Sequence, residues 1–142
     1  MTGWGGVLLA TVMLTAASAG VADAGLKNAW FSSGAMVPGQ IIRSEGELPG
    51  ETKVFDRATD KVARLFLTFS DLDAHVIRGE LKGPDGTTVR RLNYDMPSLT
   101  RAGITWRYAS RSFNLDGLAP AVYTLEMTID GGKPEKYSFT LK

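Results

Sequence analysis

The sequence predicts an all-β fold, a single antiparallel β-sandwich of about seven to eight short strands spanning residues 25–142. Three observations lead there. Apolar and polar residues alternate with a period of two along most of this stretch, the pattern of strands with one buried face. No segment after Gly25 keeps a 3.6-residue apolar period over three turns. Turn-forming clusters recur about every 8–12 residues, as sandwiches require. No repeat, low-complexity tract or linker interrupts the stretch, so it reads as one domain.

Lys27 to Phe31 supplies a first strand, and the apolar stretch around Ile41-Ile42 an additional one. Val62 to Phe69 sets Ala63, Leu65, Leu67 and Phe69 on one face and Val62, Arg64, Phe66 and Thr68 on the other. His75 to Lys82 turns Ile77 and Leu81 inward and Arg78, Glu80 and Lys82 outward. Gly83-Pro84-Asp85-Gly86 then reverses the chain, because Pro fixes φ at the first corner and Gly accepts the geometry of the second. The return strand runs from Thr87 towards Tyr94. Ile104, Trp106 and Tyr108 open a further strand, with Thr105, Arg107 and Arg111 opposite; bringing Phe113 inward needs a change of parity, so a bulge is expected near Ala109-Ser110. Tyr123, Leu125, Met127 and Ile129 alternate cleanly with Thr124, Glu126 and Thr128. Asp130-Gly131-Gly132 makes the turn, and Tyr137, Phe139 and Leu141 face back inward.

Composition narrows the function classes. The chain has 142 residues, 44% of them hydrophobic and 22% charged, which fits neither a membrane bundle nor a disordered chain. Sixteen basic and fifteen acidic residues leave a net charge of +1, too small for a nucleic-acid binder that works by neutralising phosphate. Zero cysteine excludes disulfides, thiol nucleophiles and thiolate metal sites, and the single His75 excludes any motif built on two histidines. The G-x-S-x-G, P-loop, Rossmann and H-E-x-x-H patterns are also absent.

Gly6 to Ala19 carries no charge and ends in small residues at Ala17-Ser18-Ala19, repeated at Ala22-Asp23-Ala24. Residues 1–24 therefore read as a secretory signal peptide, cleaved after Ala24 or alternatively after Ala19. A retained anchor is the competing reading. With no cysteine at the cleavage site, a lipid-anchored form is not expected. An exported domain without disulfides favours a bacterial periplasm over an animal extracellular space.

Leu118-Ala119-Pro120-Ala121-Val122-Tyr123, followed by the alternating strand and Asp130-Gly131, resembles the L-x-P-G-x-Y entry to the penultimate strand of bacterial immunoglobulin-like and fibronectin type III-like domains. Ala121 stands where that pattern carries Gly. The resemblance implies an immunoglobulin-like sandwich in which Tyr123 and Pro120 build a corner between the sheets and Trp106 serves as core tryptophan. It is a likeness of fold, and fold alone does not carry function.

Four groups of residues are candidate sites. Asp71, Asp73 and His75 alternate along an extended segment and are the best metal-ligating or acid–base candidates; the alternative is a polar loop between strands. Asp56 and Asp60, with Glu45, Glu47 and Glu51 nearby in sequence, suggest calcium, although the spacing is not that of an EF-hand and Arg57 and Lys61 compete. Arg64, Arg78, Arg107 and Arg111 share outward parity, with Arg90, Arg91 and Arg101 between them, and one guanidinium-rich sheet face would suit an anionic glycan, lipid headgroup or phosphate. Trp30 or Phe31 must face outward, since neighbours on a strand point opposite ways, and an exposed ring there suits carbohydrate stacking.

Taken together, these readings describe an exported, non-catalytic binding or structural module of the bacterial envelope, periplasmic or secreted. It is expected to be a monomer without cofactor, nucleic-acid partner or membrane span after loss of the leader. Its partner is a protein or envelope polymer met through a sheet face or an edge strand. The rival is a small metal-dependent enzyme or hydrolase centred on Asp71, Asp73 and His75.

Overall fold

The computed structural model describes residues 25–101 and 103–142. The expected signal peptide, residues 1–24, lies outside the described residues. Eight strands are present among the described residues: β1 (Leu26–Ser32), β2 (Val54–Phe55), β3 (Val62–Phe69), β4 (His75–Lys82), β5 (Thr88–Met96), β6 (Arg107–Asn114), β7 (Ala121–Ile129) and β8 (Glu135–Leu141). They form a sandwich of a three-stranded sheet, β1-β3-β6, and a five-stranded sheet, β2-β8-β7-β4-β5. All pairings are antiparallel except β2 with β8, where Val54 and Phe55 run parallel to Thr140 and Leu141.

The alternation in the sequence builds the core. Ala63, Leu65, Leu67 and Phe69 from β3 meet Ile77 and Leu81 from β4 and Tyr123, Leu125, Met127 and Ile129 from β7, all buried in one cluster. At its centre Phe139 packs edge-on to Phe31 and Phe55, with centroids 4.9 and 5.1 Å away. Such offset aromatic contacts add to the area-dependent stabilisation. Tyr123 is buried beside Phe139, and its hydroxyl donates to the Ala119 carbonyl at 2.5 Å, one residue before Pro120.

Three local expectations need correction. Ile41-Ile42 forms no strand; the second strand lies at Val54–Phe55, after a long excursion through residues 33–53 that carries the chain from one sheet to the other. No bulge interrupts β6, which pairs with β3 in unbroken register from Phe69↔Arg107 to Val62↔Asn114. The parity of β6 is therefore the reverse of that predicted. Arg107, Ala109, Arg111 and Phe113 share the inward side, while Tyr108, and Trp106 just before the strand, lie half-buried outside the core cluster. Trp106 is thus no core tryptophan; its Nε1 donates to the Arg43 carbonyl.

The excursion has a structural role of its own. It folds across the outer face of the three-stranded sheet and fastens there. Trp30 Nε1 donates to the Pro49 carbonyl at 2.9 Å, and the Glu45 carboxylate accepts from the Thr68 hydroxyl at 2.8 Å and from the Asn28 amide at 2.9 Å. Phe66 and Thr68 point away from the main core yet are both 0% exposed, and Trp30 stacks on Phe66 at 5.7 Å. Trp30 is therefore occupied within the fold, which removes the exposed ring expected there.

Candidate functional site

At one end of the sandwich β3 ends, β4 begins and the β7–β8 turn closes. There His75, 5% exposed, lies stacked on Phe69 with both ring nitrogens taken by carboxylates. Nε2 meets Asp71 at 2.7 Å and Nδ1 meets Asp130 at 2.6 Å. Asp130 adopts a positive φ of 55° in the hairpin turn, and its second oxygen accepts the Val76 amide at 2.7 Å. Asp71 rests against Gly25, whose φ of 73° and missing Cβ allow the approach.

Burial alone would lower the His75 pKa, but the hydrogen bonds to Asp130 and Asp71 and their charges outweigh it, so the ring is held above its ordinary value. Burial likewise opposes ionisation of Asp130, yet the His75 and Val76 hydrogen bonds carry its pKa below the usual range. The arrangement is an imidazole ring clamped between two carboxyl groups.

Of the predicted trio, Asp71 and His75 come together and Asp73 does not. Asp73 is exposed, its main-chain N–H faces Asp71, and its carbonyl accepts from Arg107. Asp130, expected in the sequence only as a turn residue, takes the third place. Its only local signal was an Asp-Gly turn, and strand pairing of Ile77 with Ile129 brings it to His75. Both nitrogens of the His75 ring are engaged, so the imidazole itself offers no free lone pair as a ligand. Among the described residues no group of three or more His, Asp or Glu is placed to hold a metal ion. The Asp56–Asp60 stretch closes on itself: Asp56 accepts the Ala58 amide and Asp60 accepts the Asp56 amide.

The four arginines do not form one face. Arg64 reaches from the three-stranded sheet to the Gly34 carbonyl and Ser112. Arg78 lies on the five-stranded sheet and pairs with Asp95 at 2.8 Å. Arg107 and Arg111, with reversed parity, point to the side of the sandwich where β6 and β5 are the edge strands. There Arg111 lies 3.6 Å over the Tyr94 ring, and Arg107 donates to the carbonyls of Pro97 and Asp73. Arg90 crosses the same side to the carbonyls of Asn114 and Asp116. These three guanidinium groups bridge the two sheets along this side.

The outer face of the five-stranded sheet is different, because nothing described folds over it. Strand alternation lays Thr124, Glu126 and Thr128 beside Arg78, Glu80 and Lys82, flanked by Arg91 and Asn93 on β5 and by Lys136 and Ser138 on β8. One register row reads Lys136, Glu126, Glu80, Arg91 across four strands. Glu126 meets Lys82 at 3.1 Å, and Glu80 meets Arg91 at 2.7 Å. The hydrogen bonds from Thr88 and Arg91 hold the Glu80 carboxyl below its ordinary pKa. A shallow cleft of about 330 Å³ opens between Arg78, Asn93, Thr128 and Pro134. This face offers charged and hydroxyl groups of both signs in a flat array, suited to a polar partner.

No helix among the described residues is long and apolar enough to cross a membrane. No protein-family model and no curated protein matches the chain, so the functional argument rests on the geometry.

Proposed function

We propose that the chain is an exported, non-catalytic binding module of the bacterial envelope, with an immunoglobulin-like arrangement, that engages a protein or polymer across the outer face of its five-stranded sheet. One observation carries this reading: the protein seals the outer face of its smaller sheet with its own chain and leaves the larger face uncovered. The immunoglobulin-like reading draws support from the strand order, with the N-terminal strands β1 and β2 divided between the sheets, and from the Tyr123 hydroxyl bonded back to Ala119. Export rests on the apolar leader in the sequence.

The enzyme reading loses its support where Asp73 stays apart from His75 and both imidazole nitrogens are engaged.

Site-specific photo-crosslinking in the native envelope tests the proposal. A photoreactive residue replacing Thr128 on the uncovered face should give a discrete adduct of constant mass, and one replacing Glu47, exposed in the segment that covers the other sheet, should give none. Equal labelling from both positions, or none from Thr128, would overturn the sheet-face reading.

A further inference from the structure

The corner that holds His75 also holds Gly25, the residue just before β1. The Gly25 carbonyl accepts from the Ser70 amide at 2.9 Å and from the Ser70 hydroxyl at 3.2 Å. Residues at the start of a domain fray unless something ties them down. Here the β3–β4 connection ties Gly25 twice.

The same connection brings a negative charge to Gly25. The Asp71 carboxylate stands where a Cβ would be, and the three atoms nearest to that position are all its own. Standard bond geometry then puts the Gly25 nitrogen within about 4.5 Å of Asp71 Oδ2. The other oxygen, Oδ1, meets His75 Nε2 and faces the Asp73 amide. The carboxylate is thus divided, one oxygen turned to the ring and one to Gly25. The charged groups around this corner are Lys27, Asp71, Asp73, His75, Arg107 and Asp130. Lys27 and Asp73 are exposed, and Arg107 donates to main-chain carbonyls, while Asp71 is in contact with Gly25. Among the described residues no Lys or Arg pairs with Asp71, whose one ion pair is with the His75 ring.

The place of Gly25 in the sequence gives this contact a meaning. The small-residue motif Ala22-Asp23-Ala24 ends immediately before it. In the unprocessed chain the Gly25 nitrogen is a peptide amide and carries no charge. A cut after Ala24 turns that nitrogen into an α-ammonium within reach of a carboxylate oxygen. A cut after Ala19 would put the ammonium on Gly20 and leave Asp71 facing a neutral amide.

We infer that an envelope peptidase removes the leader after Ala24 and that the ammonium formed on Gly25 pairs with Asp71, so that processing itself completes the corner. The inference rests on the exported reading above and adds to it the site of the cut and a structural use for it. Hydrolysis breaks the Ala24–Gly25 C–N bond; the water oxygen stays on the Ala24 carboxylate and both its hydrogens go to the Gly25 nitrogen. The new cation lies on the far side of Asp71 from His75, and so adds a positive group to a corner built on two carboxyl groups. An opposite charge at this range favours the charged form of each partner.

Two measurements test this separately from the exported reading. The chain is expressed with its own leader in an exporting bacterium, and the N-terminus of the exported protein is sequenced. It should begin at Gly25. A start at Gly20 would overturn the assignment and leave export standing, whereas a start at Met1 or Thr2 would overturn both. The processed protein is then compared with a variant carrying one extra glycine between Ala24 and Gly25, which moves the ammonium along without touching the clamp. At pH 7 the unfolding equilibrium constant from urea titration should be about fivefold larger in the extended protein, the upper range for one ion pair near the surface. An α-ammonium with a raised folded pKa stabilises fully below its ordinary value of about 7.7–8.0, and the difference should vanish as pH rises through the folded value. The titration of His75 is common to both proteins and cancels. Asp71→Asn in both should abolish the difference. Equal stability of the two proteins at pH 7, or a difference that survives Asp71→Asn, would overturn the ion pair even with the chain starting at Gly25.

Discussion

The two outer faces of this sandwich obey the same alternation rule and end up in opposite environments. On β3, Phe66 and Thr68 point away from the main core and are fully buried, because residues 33–53 return over them and close with Glu45, Leu48 and Pro49. On β7, Thr124, Glu126 and Thr128 point away from the same core and stay at the surface. Period-two alternation fixes which side of a sheet a residue takes. It does not fix whether that side meets water, which depends on what the rest of the chain does. The difference sorts the molecule into a face used for folding and a face left for a partner.

The largest effect should come from treating the covered face as a second core. Phe66→Ala is expected to cost about 3–5 kcal/mol, as for any fully buried ring, even though the residue faces outward from its sheet. Thr128→Ala, at the matching place on the uncovered face, should stay within about 0.5 kcal/mol. Urea denaturation of the two variants measures the contrast directly. Similar midpoints for both would mean that the excursion does not seal the face.

A smaller effect is expected from the fastening of the excursion. Glu45→Ala removes the acceptor of the buried Thr68 hydroxyl and should cost about 1–3 kcal/mol. Glu45→Gln keeps a carbonyl oxygen for Thr68 and should recover part of the loss. Hydrogen exchange would locate the change: amides of residues 43–49 should open first, while those of β7 keep their protection.

Much of the fold was legible in the sequence, and the reasons for the failures are physical. The strands β3, β4, β7 and β8 declared themselves because each turns alternate apolar residues to the core, and only β3 buries outward residues, Phe66 and Thr68, as well. The Gly83–Gly86 reversal was equally visible, and the Gly86 amide does bond back to Gly83. The excursion left no local signal, since its contact from Glu45 to Thr68 spans 23 residues and involves no periodicity. The alternation of Ile104, Trp106 and Tyr108 lies mostly ahead of β6, which begins at Arg107 and takes its parity from pairing with β3. At a sandwich edge an inward arginine can still reach carbonyls or a ring, as Arg107 and Arg111 do. Asp130 was hidden from any reading of His75 by 55 residues of separation.

Ion pairs divide along the same lines as the faces. The His75 clamp is buried, so its protonation should be visible in stability. A folded-state pKa raised above the usual 6.5 stabilises the protein fully below that value and is lost as pH rises through the folded pKa. Stability should therefore fall on going from slightly acid to moderately alkaline pH, as the imidazolium gives up its proton. The depressed Asp130 works at the other limit: its contribution is present above the ordinary carboxylate range and fades as pH falls through the lowered value. His75→Gln should flatten the alkaline fall, and urea titrations of both proteins at several pH values would show it. An unchanged slope in the variant would remove His75 as its source.

The smallest effect belongs to the uncovered face. Glu126 pairs with Lys82 at 3.1 Å and lies within 3.8 Å of Lys136, yet in register it also stands directly opposite Glu80. Exposed pairs are worth about 0.2–1 kcal/mol, and like charges set opposite across strands cost a similar amount. Glu126→Gln removes both contributions at once. Its net effect on stability should lie within about 0.5 kcal/mol of zero and shrink further in high salt, where the attraction and the repulsion are screened together. A loss above about 1.5 kcal/mol, beyond the range for exposed pairs, would mean that these charges form a cooperative network holding the sheet. The face would then serve the fold, as the covered one does. A near-zero change leaves the charges without a folding role, and the place to look for their effect is the crosslinking yield from Thr128.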